Sequence, residues 1–199
     1  MLKYLTYLPI NYNKDIESPL MIFLHGATER GDDFSLLKQT EPVVLLEKKE
    51  LELPVITIAP LCPKFESWNY DILDEMLEEI KNKYKINDKK IYLTGFSMGG
   101  IGVLRWAQKS TNKFAAIVAL CAGGSRFMAE YFKNLPIWFF HGKKDEIVNY
   151  KKTEDLYKEL SKYNTNTKIT LLEDEGHSIW GKVYRNFEIY QWLMSYERS

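Results

Sequence analysis

The sequence predicts a three-layer α/β/α sandwich, in which a mostly parallel sheet lies between two layers of helices. From residue 19 onward, short apolar segments alternate with amphipathic helical segments at least six times, and this alternation favours parallel strands joined by helices. The apolar runs are continuous, as expected for strands that are covered on both faces. No linker rich in Pro, Gly or Ser divides the 199 residues. We therefore expect a single domain over residues 1–199.

The first half of the chain predicts an edge strand followed by buried strands and helices. Residues 1–12 alternate loosely between apolar and polar side chains, and Pro9 favours an edge position. Pro42 interrupts the segment 34–46, which predicts two short helices or one kinked helix. Apolar residues recur every three or four positions over 72–84, so this segment is an amphipathic helix that Asp71 is placed to cap. Buried strands are expected at 19–25 and 54–60.

The second half repeats the alternation of strand and helix. A segment rich in β-forming residues at 90–94 is followed after one short turn by a helical pattern. Three more apolar runs come later in the chain, each followed by a turn. After the last two of these runs, the turn leads into a helical pattern. The expected strands are 114–120, 135–141 and 168–172, and the expected helices are 101–109, 153–163 and 183–196.

Composition excludes some classes of function. The 27 basic and 27 acidic residues give a formal net charge of zero and are scattered along the chain. They form no electrostatic footprint for nucleic acid or for an anionic membrane. No apolar run approaches the length of a membrane span, and the first ten residues are too polar for a secretory core. We therefore expect a cytoplasmic protein with no nucleic-acid or membrane partner, whose oligomeric state the sequence does not determine.

The two cysteines do not indicate a metal site. Cys62 and Cys121 each end an apolar run, without a second Cys or a His at ligand spacing. Buried thiols are the favoured interpretation, with a disulfide or a reactive thiol as the alternative. No metal and no organic cofactor is expected.

A serine at residue 97 is the candidate nucleophile. It lies at the centre of the segment Gly95–Phe96–Ser97–Met98–Gly99, between the strand at 90–94 and the helix at 101–109. A serine on so short a turn is held in a sparsely populated backbone conformation that exposes its hydroxyl, and the glycines relieve crowding between strand and helix. The alternative is a turn with a structural role only.

The base that activates this serine is one of three histidines. His25 and His141 both end an apolar strand and precede a glycine, so they are expected to tie strand ends to neighbouring loops. His177 follows a strand across the short polar loop 173–176, which gives it a partly exposed position above the sheet edge. We therefore favour His177 as the general base.

An acid is needed to orient this imidazole. Four residues separate Asp145 from the strand residue Phe140, and Asp145 comes immediately before the next helical pattern, so we favour it. Glu146, its neighbour, and Asp174, near His177, are the competing carboxylates. As ordinary surface acids they need no further explanation.

Together these segments resemble the α/β-hydrolase superfamily over nearly the full chain, in the order Ser97, Asp145, His177. The segment 25–32, His-Gly-Ala-Thr-Glu-Arg-Gly-Asp, resembles the H-G-A-G-E-R-G loop of small carboxylesterases and putative peptidases related to dienelactone hydrolases and feruloyl esterases. The resemblance implies an oxyanion hole formed by the backbone N–H groups of Met98 and Ala27.

One residue departs from that loop. The family's second glycine is Thr28 here, so either this position needs no positive φ or the loop has another shape, which would shift the second oxyanion donor by a residue. Glu29 and Arg30 are adjacent and opposite in charge. A local ion pair that fixes the loop is favoured for them over contact with the substrate.

Two aromatic residues are candidates for the substrate pocket. Trp68 and Trp180 lie on loops near strand ends, where large rings either wall a pocket or cap the core. After the fourth buried strand and the segment 121–124 that ends it, only about ten residues, 125–134, precede the next strand, which leaves room for a minimal lid or none. The site should be open and shallow.

The predicted function is a serine hydrolase that cleaves small or soluble acyl or aryl esters through an acyl-enzyme intermediate. Its activity should fall as the pH drops through the ordinary imidazole pKa, about 6.5. A peptidase or a thioesterase would use the same machinery. A hydrolase fold that serves only as a binding module is the alternative from another class, and the presence of Ser97, Asp145 and His177 weighs against it.

Overall fold

The structure is a computed structural model that describes residues 2–198; the two ends of the predicted domain, residues 1 and 199, lie outside this range. The strands are β1 (Tyr4–Tyr7), β2 (Ser18–Leu24), β3 (Ile56–Pro60), β4 (Ile86–Phe96), β5 (Ala116–Leu120), β6 (Ile137–Gly142) and β7 (Thr167–Leu172). The helices are α1 (Val43–Glu47), α2 (Tyr70–Lys83), α3 (Met98–Lys109), α4 (Tyr150–Leu160), α5 (Trp180–Tyr184) and α6 (Glu188–Met194), with 3-10 turns at Leu37–Gln39 and Arg126–Phe132.

The seven strands form one sheet in the order β1-β3-β2-β4-β5-β6-β7. Only β1 runs antiparallel to its neighbour; the other five pairings are parallel. The predicted three-layer sandwich and the edge position of the first strand are confirmed. Because six strands are parallel, the loops that follow them meet at one edge of the sheet, where sites in such folds lie.

The interior strand β2 is apolar without alternation because of its place in the sheet. Successive side chains of a strand point to opposite faces, and both faces of β2 are covered. Leu20, Ile22 and Leu24 pack in the core beneath α2, α3 and α4. Met21 and Phe23 pack in the second core, which includes buried residues of α1, α5 and α6.

Helix α2 begins earlier than the sequence pattern indicates. Its cap is Asn69, whose side chain accepts hydrogen bonds from the amides of Asp71 and Ile72. The predicted cap, Asp71, is wrong, because a capping residue needs a non-helical backbone and Asp71 already lies in the first turn. There its negative charge is favourable to the helix dipole.

The predicted helix at 183–196 is two helices rather than one. Helix α5 ends at Tyr184 and α6 starts at Glu188. Between them the Asn186 side chain accepts a hydrogen bond from the Glu188 amide at 3.0 Å. Such a local side-chain bond offers the backbone an alternative to helix continuation, so the chain turns here.

Two other segments match the expectations for short elements. The segment 34–46 contains a 3-10 turn and the start of α1, separated at Pro42, in agreement with the prediction of two short helices. The candidate lid region contains the turn Arg126–Phe132, which buries Met128, Ala129 and Phe132 in the core. Across residues 2–198, no helix combines the length and the apolarity that a membrane crossing requires.

Candidate active site

Ser97 lies between the last residue of β4 and the first residue of α3 and has φ 53° and ψ −120°. A positive φ is unusual for a residue with a Cβ and marks local strain. Two hydrogen bonds hold the turn: the Ser97 amide donates to the Leu120 carbonyl, and the Ser97 carbonyl accepts from the Ile101 amide, each at 2.9 Å. The backbone groups of Ser97 are thus used in the fold, which leaves its hydroxyl for chemistry.

Glycines flank this turn because the strand and the helix approach too closely for side chains. A Cβ at Gly99 would lie 1.9 Å from the Leu24 carbonyl oxygen, and one at Gly95 would lie 2.6 Å from the same atom. Real Cβ atoms do not approach backbone oxygens this closely. The predicted role of both glycines in relieving crowding is confirmed.

His177 lies on the loop after β7, and its ring reaches the serine. Its Nε2 is 2.8 Å from Ser97 Oγ, and its Nδ1 is 2.7 Å from Asp145 Oδ2. The side chain is 17% exposed, which leaves one part of the ring open to a reacting molecule. Nδ1 is the donor to the carboxylate, so Nε2 is free to accept the serine proton.

Asp145 is the carboxylate that contacts this ring. Its Oδ1 accepts hydrogen bonds from the amides of Ile147 and Val148, both at 2.8 Å. Burial by itself raises the pKa of Asp145, but the hydrogen bonds from His177 and from the two amides outweigh it and hold the pKa below the usual range. Of the competing acids, Asp174 pairs with Lys144 at 2.8 Å and Glu146 is exposed.

The loops that carry the acid and the base are fastened to each other. The Lys144 amide donates to the Glu175 carbonyl, and the Lys143 amide donates to the Leu172 carbonyl, each at 2.9 Å. A Cβ at Gly142 would lie 2.1 Å from the Gly176 carbonyl oxygen. The backbones are therefore in direct contact, which fixes the spacing between Asp145 and His177.

The two strand-end histidines are fully buried and tie loops together, as the sequence suggested. His25 Nε2 accepts from the Cys62 amide at 3.0 Å, and its Nδ1 donates to the Gly26 carbonyl at 2.7 Å. Burial lowers the pKa of His25 to about 4. His141 contacts Asp145, Val148 and Thr153; the contact with the acid was not foreseen, although the four-residue spacing between His141 and Asp145 hinted at it.

The two backbone amides that the resemblance assigns to the oxyanion hole are those of Met98 and Ala27. Met98 is the first residue of α3, so its N–H has no acceptor within the helix. Ala27 is exposed in the loop after β2, and within residues 2–198 its amide donates no backbone hydrogen bond. Thr28 is not among the described residues with positive φ. The position therefore needs no positive φ, and a residue other than glycine is tolerated there.

Glu29 and Arg30 fix this loop, but the predicted ion pair between them is wrong. In the part of the chain that the structure describes, no salt bridge joins them. Arg30 donates from Nε to the Ala27 carbonyl at 2.8 Å and from Nη1 to the Glu66 carbonyl at 2.9 Å. Glu29 is buried and accepts from the Thr28 hydroxyl at 2.7 Å. The two side chains point in different directions: that of Glu29 turns inward, and that of Arg30 reaches the loop that contains Glu66.

The two candidate tryptophans have different positions. Trp68 is 5% exposed and belongs to the core; its Nε1 donates to the His25 carbonyl at 3.2 Å. It caps the core next to the loop that follows β2, so the pocket-wall alternative is not favoured for it. Trp180 is half-buried and stacks on Phe96 with centroids 4.4 Å apart, and its ring lies 6.4 Å from that of His177. Trp180 therefore borders the site.

Both cysteines are free and buried. Burial raises the pKa of Cys62 to about 11 and that of Cys121 to about 12, so both are neutral thiols. Cys121 lies near the site, with its Sγ 3.3 Å from the His177 carbonyl oxygen. Donor atoms of Cys121, His141 and Asp145 lie within 4.8 Å of one another, close enough to hold a metal ion. A hydrogen bond joins His141 to Asp145, and the protonated thiol of Cys121 is a poor ligand.

A parallel sheet between helical layers, with a serine on a strand–helix elbow and an acid and a histidine after later strands, defines an α/β-hydrolase. The chain belongs to the phospholipase/carboxylesterase family, because the model of that family matches residues 69–190. The match spans the elbow, Asp145 and His177.

Curated proteins and solved structures agree with this membership. The chain is 28% identical over 200 aligned residues to acyl-protein thioesterase 1 of Candida albicans. This match covers 79% of the chain and 84% of that protein. It is 36% identical over 96 residues to a bifunctional acetylxylan esterase/xylanase of Neocallimastix patriciarum; this match covers 48% of the chain and 14% of that protein.

Among solved structures, a thermostable esterase superposes with a TM-score of 0.85 and 27% identity, over 99% of this chain and 60% of that one. The feruloyl esterase module from Clostridium thermocellum, complexed with sinapinate, has a TM-score of 0.71 and 16% identity, over 97% of this chain and 82% of that one. The chain thus spans less than two thirds of the length of the esterase and 14% of that of the bifunctional enzyme. These proteins show the fold and the class of hydrolase to which the chain is similar.

Proposed function

We propose that this protein is a serine hydrolase that cleaves small carboxylic esters through an acyl-enzyme. The observation that carries the proposal is the continuous hydrogen-bonded series Ser97 Oγ, His177 Nε2, His177 Nδ1 and Asp145 Oδ2, with separations of 2.8 Å and 2.7 Å. A serine hydroxyl is a poor nucleophile by itself, and this arrangement supplies the base and the group that orients the base.

The reaction follows from these distances. Ser97 Oγ attacks the ester carbonyl carbon while its proton passes to His177 Nε2, and the carbonyl oxygen becomes an oxyanion that accepts from the Met98 and Ala27 amides. The tetrahedral species collapses, the bond to the alcohol breaks, and His177 returns the proton to the departing alkoxide. The acid product is then released by water, which loses a proton to His177 as it attacks the acyl carbon. Breakage of the acyl bond restores the Ser97 hydroxyl.

Asp145 remains ionised throughout. Its role is to hold the ring of His177 with Nδ1 protonated and to stabilise the imidazolium that forms when Nε2 takes the proton. The lowered pKa of Asp145 supports this role, since the carboxylate stays charged near neutral pH.

A surface pocket near the elbow is the proposed location for the part of the substrate beyond the scissile bond. It has a volume of about 330 Å³ and starts one helical turn from Ser97, at Ile101. Its walls include Ile147 and Val148, directly after Asp145, and the glycines Gly123 and Gly124. This volume is at the lower end of ligand pockets, which favours a short acyl or aryl group over a long lipid chain.

A thioesterase is the second candidate, because a relative that covers 79% of this chain is an acyl-protein thioesterase. A departing thiolate needs a proton from His177 less than a departing alkoxide does. The same site is therefore able to cleave both thioesters and oxygen esters. Peptide bonds have the poorest leaving group and are the least favoured substrates.

The test is a matched set of substrates. Oxygen ester, thioester and amide with the same acetyl, butyryl, octanoyl or feruloyl group are compared by kcat/KM. We expect short-chain and aryl oxygen esters to be the best substrates, and Ser97→Ala to abolish turnover of all of them. A thioester preference of more than tenfold at every chain length would instead assign the thioesterase function. Turnover that persists in Ser97→Ala would contradict the proposed mechanism.

A further inference from the structure

His141 touches the same carboxylate oxygen as the proposed base. It occupies the penultimate position of β6, and both His141 and Asp145 have fully buried side chains. His141 Nε2 lies 3.0 Å from Asp145 Oδ2, the oxygen that also accepts from His177 Nδ1 at 2.7 Å. Two imidazole rings therefore converge on one carboxylate oxygen.

The surroundings of the ring determine which nitrogen of His141 carries the proton. Nε2 faces two groups that can only accept, Asp145 Oδ2 and the Val148 carbonyl at 2.9 Å, so Nε2 must be a donor. Burial lowers the pKa of His141, which favours the neutral ring. Nδ1 is then an acceptor for the Thr153 hydroxyl 2.8 Å away, whose alternative acceptor is the Gly123 carbonyl at the longer distance of 3.2 Å.

With this tautomer, every acceptor position of Asp145 is used. Oδ1 accepts from the amides of Ile147 and Val148, and Oδ2 accepts from the rings of His141 and His177. Each oxygen has two donors, so the carboxylate is fixed in its plane and along its length. A buried carboxylate that lacked one of these donors would be held less firmly and would carry an uncompensated lone pair.

We infer that His141 is a positioning residue for the hydrolase reaction: its Nε2–H holds Asp145 Oδ2 in register with His177. The inference rests on the proposed function, since it assigns His141 a part in the serine hydrolase mechanism. His141 acts through Asp145 and touches neither the substrate nor the reacting atoms.

The loss of this donor has two consequences beyond loose packing. A small displacement of the acid misaligns His177 relative to Ser97, and such misplacement lowers kcat by about 10- to 100-fold with little change in KM. In addition, Asp145 Oδ2 then accepts a hydrogen bond from one ring instead of two. Its interaction with the remaining ring becomes stronger, which stabilises the protonated form of His177. The acid limb of the pH profile of kcat/KM moves to higher pH.

The groups that face His141 make this readout specific. They are Asp145 and His177 across the cluster, the neutral thiol of Cys121 from the end of β5, and Thr153 from α4. Cys121 and Thr153 are uncharged near neutral pH, so a shift of the acid limb reports on the pair that His141 is inferred to hold.

The test compares His141→Leu, His141→Gln and His25→Leu in the full chain. His25 is the matched control, because it is equally buried at the end of a parallel strand but its hydrogen bonds go to Gly26 and Cys62. Rates are divided by the fraction of Ser97 that reacts with a fluorophosphonate, so that misfolded protein does not count. Glutamine retains an N–H donor near the position of Nε2.

We expect His141→Leu to lose about 10- to 100-fold in kcat per reactive site and to shift the acid limb upward. His141→Gln should restore both largely, and His25→Leu should leave the limb in place. An unshifted limb and an unchanged kcat in His141→Leu would overturn the inference, and so would an equal shift in His25→Leu.

A measurement on the unmodified protein covers the case in which the leucine variant does not fold. With ¹⁵N-labelled histidine, the three imidazoles are resolved by NMR, and His141 should carry its proton on Nε2 from pH 8 to pH 5. A proton on Nδ1 instead would overturn the inference. If the unmodified protein hydrolyses no ester, the proposed function fails, whereas the NMR result still decides whether His141 donates to Asp145.

Discussion

His177 Nε2 lies 2.8 Å from Ser97 Oγ, although 80 positions separate the two residues in the sequence. The sheet brings them together: Ser97 follows β4, Asp145 follows β6 and His177 follows β7, and these parallel strands all end at the same edge. The contact is thus a consequence of topology, and its precision depends on the glycines and backbone hydrogen bonds that fasten the three loops.

The acid is tested by Asp145→Asn. The new amide retains one oxygen for the Ile147 and Val148 amides, but its NH₂ faces the N–H donors of His141 and His177. His177 must then present the wrong tautomer to Ser97, so kcat should fall on the order of 10³- to 10⁴-fold with the fold retained. Asp174→Asn is the control, since Asp174 pairs only with an exposed lysine; it should keep kcat within about twofold of the unchanged enzyme. Equal losses in both variants would contradict the role of Asp145.

The close contact of elbow and sheet is tested by Gly99→Ala. A methyl group there would lie 1.9 Å from the Leu24 carbonyl oxygen, and backbone atoms have to move to accommodate it. We expect the free energy of unfolding to fall by about 3 kcal/mol or more. In Gly31→Ala the nearest atom to the new methyl is 3.7 Å away, and the change should stay within about 0.5 kcal/mol. Urea unfolding compares the two, and a Gly99→Ala protein as stable as Gly31→Ala would refute the contact.

The buried His25 makes stability depend on pH. Burial lowers the pKa of His25 from 6.5 to about 4, so between these values the unfolded chain binds a proton that the folded chain does not. The contribution of His25 to the free energy of unfolding is therefore fully present above about pH 6.5. It decreases as the pH falls toward 4, by about 3 kcal/mol at most. Urea unfolding at pH 7 and pH 4.5 measures this, and His25→Asn should show a smaller difference between the two. Equal differences in both proteins would show that His25 does not titrate in this way.

The two tryptophans should separate stability from activity. Trp68→Ala removes a core ring, so the free energy of unfolding should fall by about 3–5 kcal/mol. Trp180→Ala removes a stacked ring beside His177, which should cost about 1–2 kcal/mol but lower kcat/KM for aryl esters. Trp180→Phe preserves a ring on Phe96 and should recover most of the activity. The assignment of Trp180 to the site fails if its alanine variant has the kcat/KM of the unchanged enzyme for every ester.

Local sequence carries most of the information about the fold and the elbow. Continuous apolar runs identified the buried strands, because a strand covered on both faces leaves no polar position. The segment 95–99 specified its own turn, since the glycines and the serine that the turn needs are all within it. The histidine was found by the same kind of reasoning, from the loop that precedes it.

Features that depend on distant partners were missed or misassigned. Arg30 was expected to pair with Glu29, but its Nη1 donates to the Glu66 carbonyl, 36 positions away. The contact between His141 and Asp145 depends on the path of the turn after β6.

The break at Asn186 and the cap at Asn69 were missed for a local reason. Several neighbouring polar residues are equally plausible in sequence, and only the backbone conformation distinguishes them.

The most direct measurement is the reaction of the protein with a fluorophosphonate, with the adduct mapped by mass spectrometry. We predict a single adduct on Ser97, no adduct in Ser97→Ala, and a labelling rate at least about 10³-fold lower in His177→Ala. Labelling at another residue, or an undiminished rate in His177→Ala, would contradict the claim that His177 activates Ser97.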